Sequence, residues 1–220
     1  MVYNCAIGHR DIDLYVLMYL NIVMENAHTI NPVYQLRTTT CALHQRLHET
    51  PLLKNLLSHS LTVEDYIHCL TRFVACYQQL EPTLVSSTYH QQLPSHLVYK
   101  PRLIALHTEL TRLGHEVLPT PANTKPDIAI ETVGQYWGVR YVLDGSSQGA
   151  KALMPRIAKH LPDTRTQDLH FWQLLFNQAK YWPKMINQIN YLCEIPHALD
   201  DLLETASRTF TLFVQQFEQP

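Results

Sequence analysis

Two histidines spaced for one face of a helix are the first residues that could do chemistry. Residues 36–49 read LRTTTCALHQRLHE, which places His44 and His48 four positions apart, about one helical turn. A neutral imidazole nitrogen is a common metal ligand, so one of these side chains could hold a metal ion. Without further context, either one is more typical of a surface histidine or of a hydrogen-bonded core histidine.

A pair of glycines is the second feature, in the stretch YVLDGSSQGAKAL at residues 141–153. Gly145 and Gly149 are also four positions apart, and each glycine inside a helix costs about 1 kcal/mol relative to alanine. Two glycines on one face indicate that a neighbouring helix or a flat ligand approaches the bare backbone. Ser146 and Ser147 add hydroxyl groups that can bond to carbonyls of the same helix.

The two stretches together predict a planar metal-containing ring held between two helices. One helix would supply an axial imidazole, and the other would supply a face free of side chains, as in a heme pocket. Tight packing between two helices is the alternative explanation of the glycines, and the residues alone leave it open.

The elements that carry these residues are predicted to be helices, so the fold class is all-α. Apolar residues recur at steps of three and four over about 33–48, 61–81, 102–114 and 197–218, and prolines fall between these segments. Thr62 with Asp65 resembles a capping box, and Gly114 is placed as a helix C-cap. The sequence has no alternating strand pattern of any length and no internal repeat, and we expect roughly six to nine helices.

Composition limits the class of protein. With 220 residues, of which 46% are hydrophobic, the chain is expected to form one globular domain. A net charge of -2 predicts no nucleic-acid partner and no attraction to an anionic membrane. Five cysteines without a CxxC pair favour the reducing cytoplasm over a disulfide framework.

The beginning of the sequence is interpreted separately. Residues 11–24 are apolar, but the segment is short, begins with acidic residues and lacks the features of a signal peptide. We interpret residues 1–23 as an N-terminal extension and residues 24–220 as the helical domain. A core helix in the first segment is the alternative.

Three stretches carry a resemblance to a known family. LRTTTCALH, with Leu36, Arg37, Thr40 and His44, resembles the proximal signature of the heme oxygenases, closest to their bacterial biliverdin-producing branch. YVLDGSSQGA resembles the distal-helix signature of the same family, and ASRTFTLFVQQFE resembles its last helix. The resemblance extends over residues 33–218, with both signatures in the family's order.

The resemblance implies an oxidoreductase with the multi-helical heme oxygenase fold. Its activity would be oxidative ring opening of heme to biliverdin, with release of carbon monoxide and iron. Heme would be both substrate and cofactor, molecular oxygen would be consumed, and a ferredoxin or flavoprotein reductase would be the external electron donor. A phytochrome could accept the biliverdin.

The resemblance also implies roles for particular residues. His44 would be the proximal ligand of the heme iron, and Arg37 would meet a heme propionate. Gly145 and Gly149 would let the distal helix bend over the heme and leave room for oxygen and water. Ser146 stands where some members carry a catalytic aspartate. Phe210 would line the heme pocket.

Several positions depart from the family pattern. His48 stands where members usually carry a glutamate that accepts the N–H of the proximal imidazole, and Glu49 is turned about 100° away around the helix. Gln148 replaces a usual apolar residue of the distal helix. Residues 171–185 lack the family's usual glycine elements, and Lys180 and Lys184 of this segment could still reach the propionates.

These departures keep two alternatives open. One is a heme-binding or interaction protein of the same fold that has lost catalysis, and the other is an enzyme of this fold that uses a pocket without heme. Glu64 and His68 have the spacing of a di-iron bundle motif, but no second pair matches it. A hemin titration separates the possibilities, because only an oxygenase both forms a Soret band and then opens the ring.

Overall fold

The fold is all-α, as predicted. The computed structural model describes residues 31–116, 128–161 and 168–219, and the proposed extension at 1–23 lies outside them. The described residues form no strand, and none of their helices is long and apolar enough to cross a bilayer. The helices are α1 Pro32–His48, α2 Pro51–Asn55, α3 Val63–Ser86, α4 Thr88–Gln91, α5 Leu103–Arg112, α6 Val133–His160, α7 His170–Gln178, α8 Trp182–Asn190 and α9 Ala198–Glu218, with 3₁₀ turns at Ala179–Tyr181 and Tyr191–Glu194.

Both predicted helix-end signals are confirmed. Thr62 caps α3, since the amide of Asp65 donates to the hydroxyl oxygen of Thr62 at 3.1 Å. In return, the carboxylate of Asp65 accepts a hydrogen bond from the amide of Thr62. Gly114 has φ +76° after α5, and the amide of His115 donates to the carbonyl of Leu110 at 2.9 Å. This is a Schellman ending, in which glycine adopts the left-handed conformation without steric cost.

Helix α9 packs against both helices that contain the candidate residues. It packs along both α1 and α6, whereas α1 and α6 contact each other only slightly within the described ranges. Its apolar face is buried, with phenylalanines at three- and four-residue steps: Phe210, Phe213 and Phe217. The positions of His44 on α1 and of the glycines on α6 therefore depend on a common support.

Helix α6 comes very close to α9 at two glycines that were not identified from the sequence. A Cβ atom added to Gly138 would lie 2.8 Å from the carbonyl oxygen of Leu202, and one added to Gly134 would lie 2.8 Å from Cβ of Asp201. Among the described residues, an added Cβ at Gly149 would meet only a side-chain atom of Leu153, at 3.7 Å. Close packing of α6 on α9 thus explains Gly134 and Gly138, whereas the face of Gly149 stays open.

We expect Gly138→Ala to lower the free energy of unfolding by about 1–3 kcal/mol, because the new methyl group has no space against α9. The comparison is Gly149→Ala, which should leave stability unchanged or raise it by up to about 1 kcal/mol through helix propensity. Urea unfolding followed by circular dichroism measures both. Equal effects of the two substitutions would contradict this assignment of the close contact.

A buried carboxylate joins three helices away from the candidate site. Glu109 of α5 accepts a short hydrogen bond from the hydroxyl of Tyr66 on α3, and it accepts the amide of Phe171 on α7 at 2.7 Å. Its side chain is almost fully buried. Burial raises the pKa of Glu109 to about 7, against an ordinary value of 4.5, although its hydrogen bonds act in the opposite direction.

This pKa predicts a stability contribution that depends on pH. Between about pH 4.5 and 7 the folded chain retains the Glu109 proton while the unfolded chain has released it. The free energy of unfolding therefore falls as pH rises through this range, by linkage. The measurement is the difference between wild type and Glu109→Gln in urea unfolding from pH 4 to 8. A difference that does not change with pH would contradict the raised pKa.

Candidate functional site

His44 continues the buried stripe of α1 to the point where the stripe reaches the surface. Leu36 and Thr40 are buried on this stripe, and His44 follows one turn later with part of its ring exposed. The ring packs edge-on against Phe210 of α9, at a centroid distance of 5.7 Å and an interplanar angle of 90°. The structure therefore brings together the two residues predicted to be an iron ligand and a pocket wall.

His48 contacts the same ring, one turn further along α1. The two Nε2 atoms lie 3.2 Å apart, and the ring centroids lie 4.5 Å apart in an edge-on arrangement. Glu49, the adjacent acid, forms an ion pair with Lys54 of α2. The group facing His44 is therefore an imidazole, and Glu49 has a different partner.

Both imidazoles are in a setting that favours the neutral form. Although each ring has exposed surface, packed protein atoms remove part of its hydration. This desolvation, together with a smaller effect of the neighbouring His48, lowers the pKa of His44 to about 4. Desolvation also lowers the pKa of His48, while Glu49 acts to raise it. At neutral pH both rings therefore keep a nitrogen lone pair available.

Arg37 of α1 interacts with a tyrosine of α6. The buried hydroxyl of Tyr141 on α6 interacts with Arg37 and with Thr40 of α1. Burial raises the pKa of Tyr141, whereas the positive charge of Arg37 and these hydrogen bonds act to lower it. Arg37 is only partly exposed, so its charge is held at this junction of the two helices.

The predicted distal face of α6 carries Gly145 beneath an aromatic side chain. A Cβ atom added to Gly145 would lie 3.4 Å from the indole of Trp182, the first residue of α8. The Trp182 ring also packs against Tyr141, with 5.7 Å between ring centroids. Ser146, the next residue, donates its hydroxyl to the carbonyl of Leu143 at 2.6 Å. Trp182 was not predicted from the sequence, in which the aromatic-proline pair at the start of α8 is its signal.

A buried arginine lies against the same segment of α6. Arg102 has no exposed surface, and its guanidinium donates to the carbonyl of Leu143 at 2.6 Å and to the carboxylate of Asp144 at 2.8 Å. It also donates to the hydroxyl of Tyr77 at 3.2 Å. Arg140, one turn before Asp144, donates to the other carboxylate oxygen at 2.6 Å. One carboxylate thus receives both arginines immediately before Gly145.

A second carboxylate fixes the backbone that carries Arg102. Glu81 of α3 accepts the amide of Arg102 at 2.5 Å and the hydroxyl of Tyr99 at 2.8 Å. Its side chain is buried, and burial raises its pKa although these hydrogen bonds act to lower it. This network was not predicted from the sequence, in which its one local signal is the four-residue spacing of Arg140 and Asp144.

Comparisons with known proteins identify the family. A family model described as heme oxygenase matches residues 31–219. The chain belongs to the heme oxygenase family. This confirms the resemblance drawn from the two signatures, and the fold of solved heme oxygenases agrees with it.

Two bacterial heme oxygenase structures are similar to this chain in fold. The NO- and CO-bound enzyme from Neisseria meningitidis has a TM-score of 0.63 and 18% identity, over 87% of this chain and 94% of that one. The enzyme from Leptospira interrogans has a TM-score of 0.61 and 15% identity, over 86% and 99% of the two chains. No curated protein sequence matches the chain.

The residues at the site of this heme oxygenase homologue fit a heme. His44 offers a neutral imidazole supported by Phe210, and Arg37 offers a cation for a propionate. Gly145 is covered by the side chain of Trp182 and not by backbone, so a flat ligand on this face requires only that side chain to move. Lys180 lies in the 3₁₀ turn before α8, and Lys184 lies in the first turn of α8; both side chains are exposed.

Proposed function

We propose that this protein binds heme through Nε2 of His44 and opens the ring oxidatively to biliverdin, with release of carbon monoxide and iron. The observation that supports this most strongly is the neutral imidazole of His44 on α1, packed on Phe210 of α9. Because α9 also packs against α6, the helix with Gly145 and Gly149 has the same packing partner as α1.

Each residue contributes a separate interaction in this proposal. Bound heme supplies an iron centre that activates molecular oxygen, with electrons from an external donor such as a ferredoxin or flavoprotein reductase. His44 would hold the iron through an imidazole nitrogen, and Arg37 would pair with a propionate. Gly145 and Gly149 present backbone without side chains of their own, and the open face of Gly149 leaves room for a small ligand and water.

Ser146 has a narrower role than an aspartate would have at its position. Its hydroxyl donates a hydrogen bond to the carbonyl of Leu143 at 2.6 Å, and its oxygen also interacts with the hydroxyl of Tyr77. A hydroxyl oxygen has two lone pairs, so in this proposal it accepts a second hydrogen bond from an ordered water. A serine hydroxyl does not titrate near neutral pH, so Ser146 orients water and does not act as an acid.

The acceptor of the biliverdin in this proposal is a phytochrome.

The proposal is tested by an anaerobic hemin titration, followed by ascorbate or reduced ferredoxin in air. We expect a Soret band that forms with one equivalent of hemin and is then replaced by the broad red band of biliverdin. No Soret band at any hemin concentration would contradict heme binding. Carbon monoxide release, measured with myoglobin as the trap, provides an independent readout.

One observation favours a second candidate, a heme-binding protein without turnover. The group that contacts His44 is His48, and Glu49 is paired with Lys54, so no carboxylate within the described residues is available to the His44 ring. A carboxylate partner normally raises the basicity of a ligand imidazole. A stable Soret band with no bleaching under the same conditions would support this candidate over the oxygenase.

A further inference from the structure

His44 and His48 have a geometry that heme ligation uses only in part. An axial heme ligand requires one nitrogen, but here the Nε2 atoms of two imidazoles lie 3.2 Å apart and share a hydrogen bond. A cation that binds both nitrogens replaces this hydrogen bond, and the ring that donates it then carries its proton on Nδ1. The edge-on packing of Phe210 against His44 and of His44 against His48 limits both rings. The pair is therefore a two-nitrogen arrangement that exists before any ligand binds.

The distance between the two nitrogens matches the bite of a metal chelate. Two zinc–nitrogen bonds of about 2.0–2.1 Å that meet at about 100° span about 3.2 Å, close to tetrahedral coordination. Histidines four residues apart on one helical face are the spacing that zinc-binding helices use. The separation of 3.2 Å in this chain therefore admits a cation without a change of backbone.

The surroundings are compatible with a bound cation. Two basic side chains on or beside this stretch of α1 have acidic partners, since Arg46 donates two hydrogen bonds to Glu218 and Lys54 pairs with Glu49. A metal ion binds the unprotonated nitrogen of an imidazole, so the chelate is expected to weaken as the pH falls. Within the described ranges, no group of three or more candidate ligands occurs, so water must complete the coordination.

We propose that His44 and His48 of the heme-free protein chelate a divalent transition-metal cation of the Zn²⁺ type, and that this cation competes with heme for Nε2 of His44. The chelation stands on the geometry of the two imidazoles alone. The competition rests on the proposed heme function, because it requires His44 to be the iron ligand.

The first test is isothermal titration of the heme-free full chain, freed of metal with EDTA, using ZnCl₂ as the probe. The chain has 13 histidines, so the site is assigned with variants. We expect His48→Gln to weaken the tightest Zn²⁺ binding by about tenfold or more, since a chelate reduced to one ligand loses at least about 1.4 kcal/mol.

The matched control is His160→Gln. His160 and His59 form the other close histidine pair of the described residues, with ring centroids 4.5 Å apart. Removal of His160 should leave the tightest Zn²⁺ binding unchanged. Unchanged binding in His48→Gln, or no Zn²⁺ binding by the wild type, would overturn the chelate. Circular dichroism and the unfolding midpoint verify that both variants fold.

The second test measures competition with hemin. Zn²⁺ should lower the apparent hemin affinity of the wild type and should have a much smaller effect in His48→Gln, each compared with its own value without Zn²⁺. An equal Zn²⁺ effect in both proteins would overturn the competition. If Zn²⁺ binds as expected but hemin forms no Soret band, then the proposed function fails while the chelate stands.

Discussion

His44→Ala is expected to abolish the Soret band of the hemin complex at concentrations where the wild type is saturated. Replacing even the hydrogen-bond partner of a metal ligand typically costs about 10–100-fold in affinity, so loss of the ligand itself should cost about 100-fold or more. His44 is exposed at the end of the buried stripe of α1, so the fold should survive. Absorbance titration measures the affinity.

Two controls make this result specific. Imidazole added to His44→Ala should restore the Soret band, because a free ligand can occupy the space that the side chain leaves. His96→Gln removes an exposed histidine from a loop and should bind hemin as the wild type does. A Soret band that persists in His44→Ala but disappears in the double variant with His48→Gln would place the iron ligand at His48.

The second large effect is expected for Arg102→Met, which should lower the free energy of unfolding by about 3–5 kcal/mol. Methionine preserves most of the volume but removes the charge. Asp144 then retains only Arg140, while the carbonyl of Leu143 and the hydroxyl of Tyr77 lose a buried donor. Loss of one partner from a buried ion pair costs more than the pair itself contributes. Urea unfolding measures the change.

The control for this prediction is an ion pair closer to solvent. Arg112 pairs with Asp168 at 2.6 Å, and its side chain is 40% exposed, compared with 0% for Arg102. Arg112→Met should therefore cost only about 0–1 kcal/mol, the range of exposed ion pairs. Similar losses in the two variants would show that burial does not determine the contribution of Arg102.

The helices were predictable where local signals agree with packing. The capping box at Thr62 and the glycine after α5 fixed two ends correctly. The prediction was too short at Pro82, because α3 continues to Ser86 through this proline. Leu84, which follows it, is completely buried. Burial of one more turn outweighs the single hydrogen bond that proline removes. Pro155 likewise lies inside α6, which continues to His160 and buries Ile157 after the proline.

The candidate site was predictable only where neighbours in sequence form it. The spacing of His44 to His48 and of Gly145 to Gly149 is visible in the chain, and the structure places one pair on α1 and the other on α6. The contacts of Arg102 and Trp182 with α6 join residues tens of positions apart. No local periodicity records such pairs, since only the completed fold brings them together.

The arrangement in which α9 supports both α1 and α6 has a consequence for biosynthesis. Of the described helices, α9 is made last, whereas α1 is made first. A nascent chain that carries α1 and α6 therefore still lacks Phe210 and the surface that aligns the two helices. Contacts between segments so distant in sequence also form slowly. Ligand capture is therefore expected to follow release of this segment from the ribosome, so that incomplete chains do not sequester the ligand.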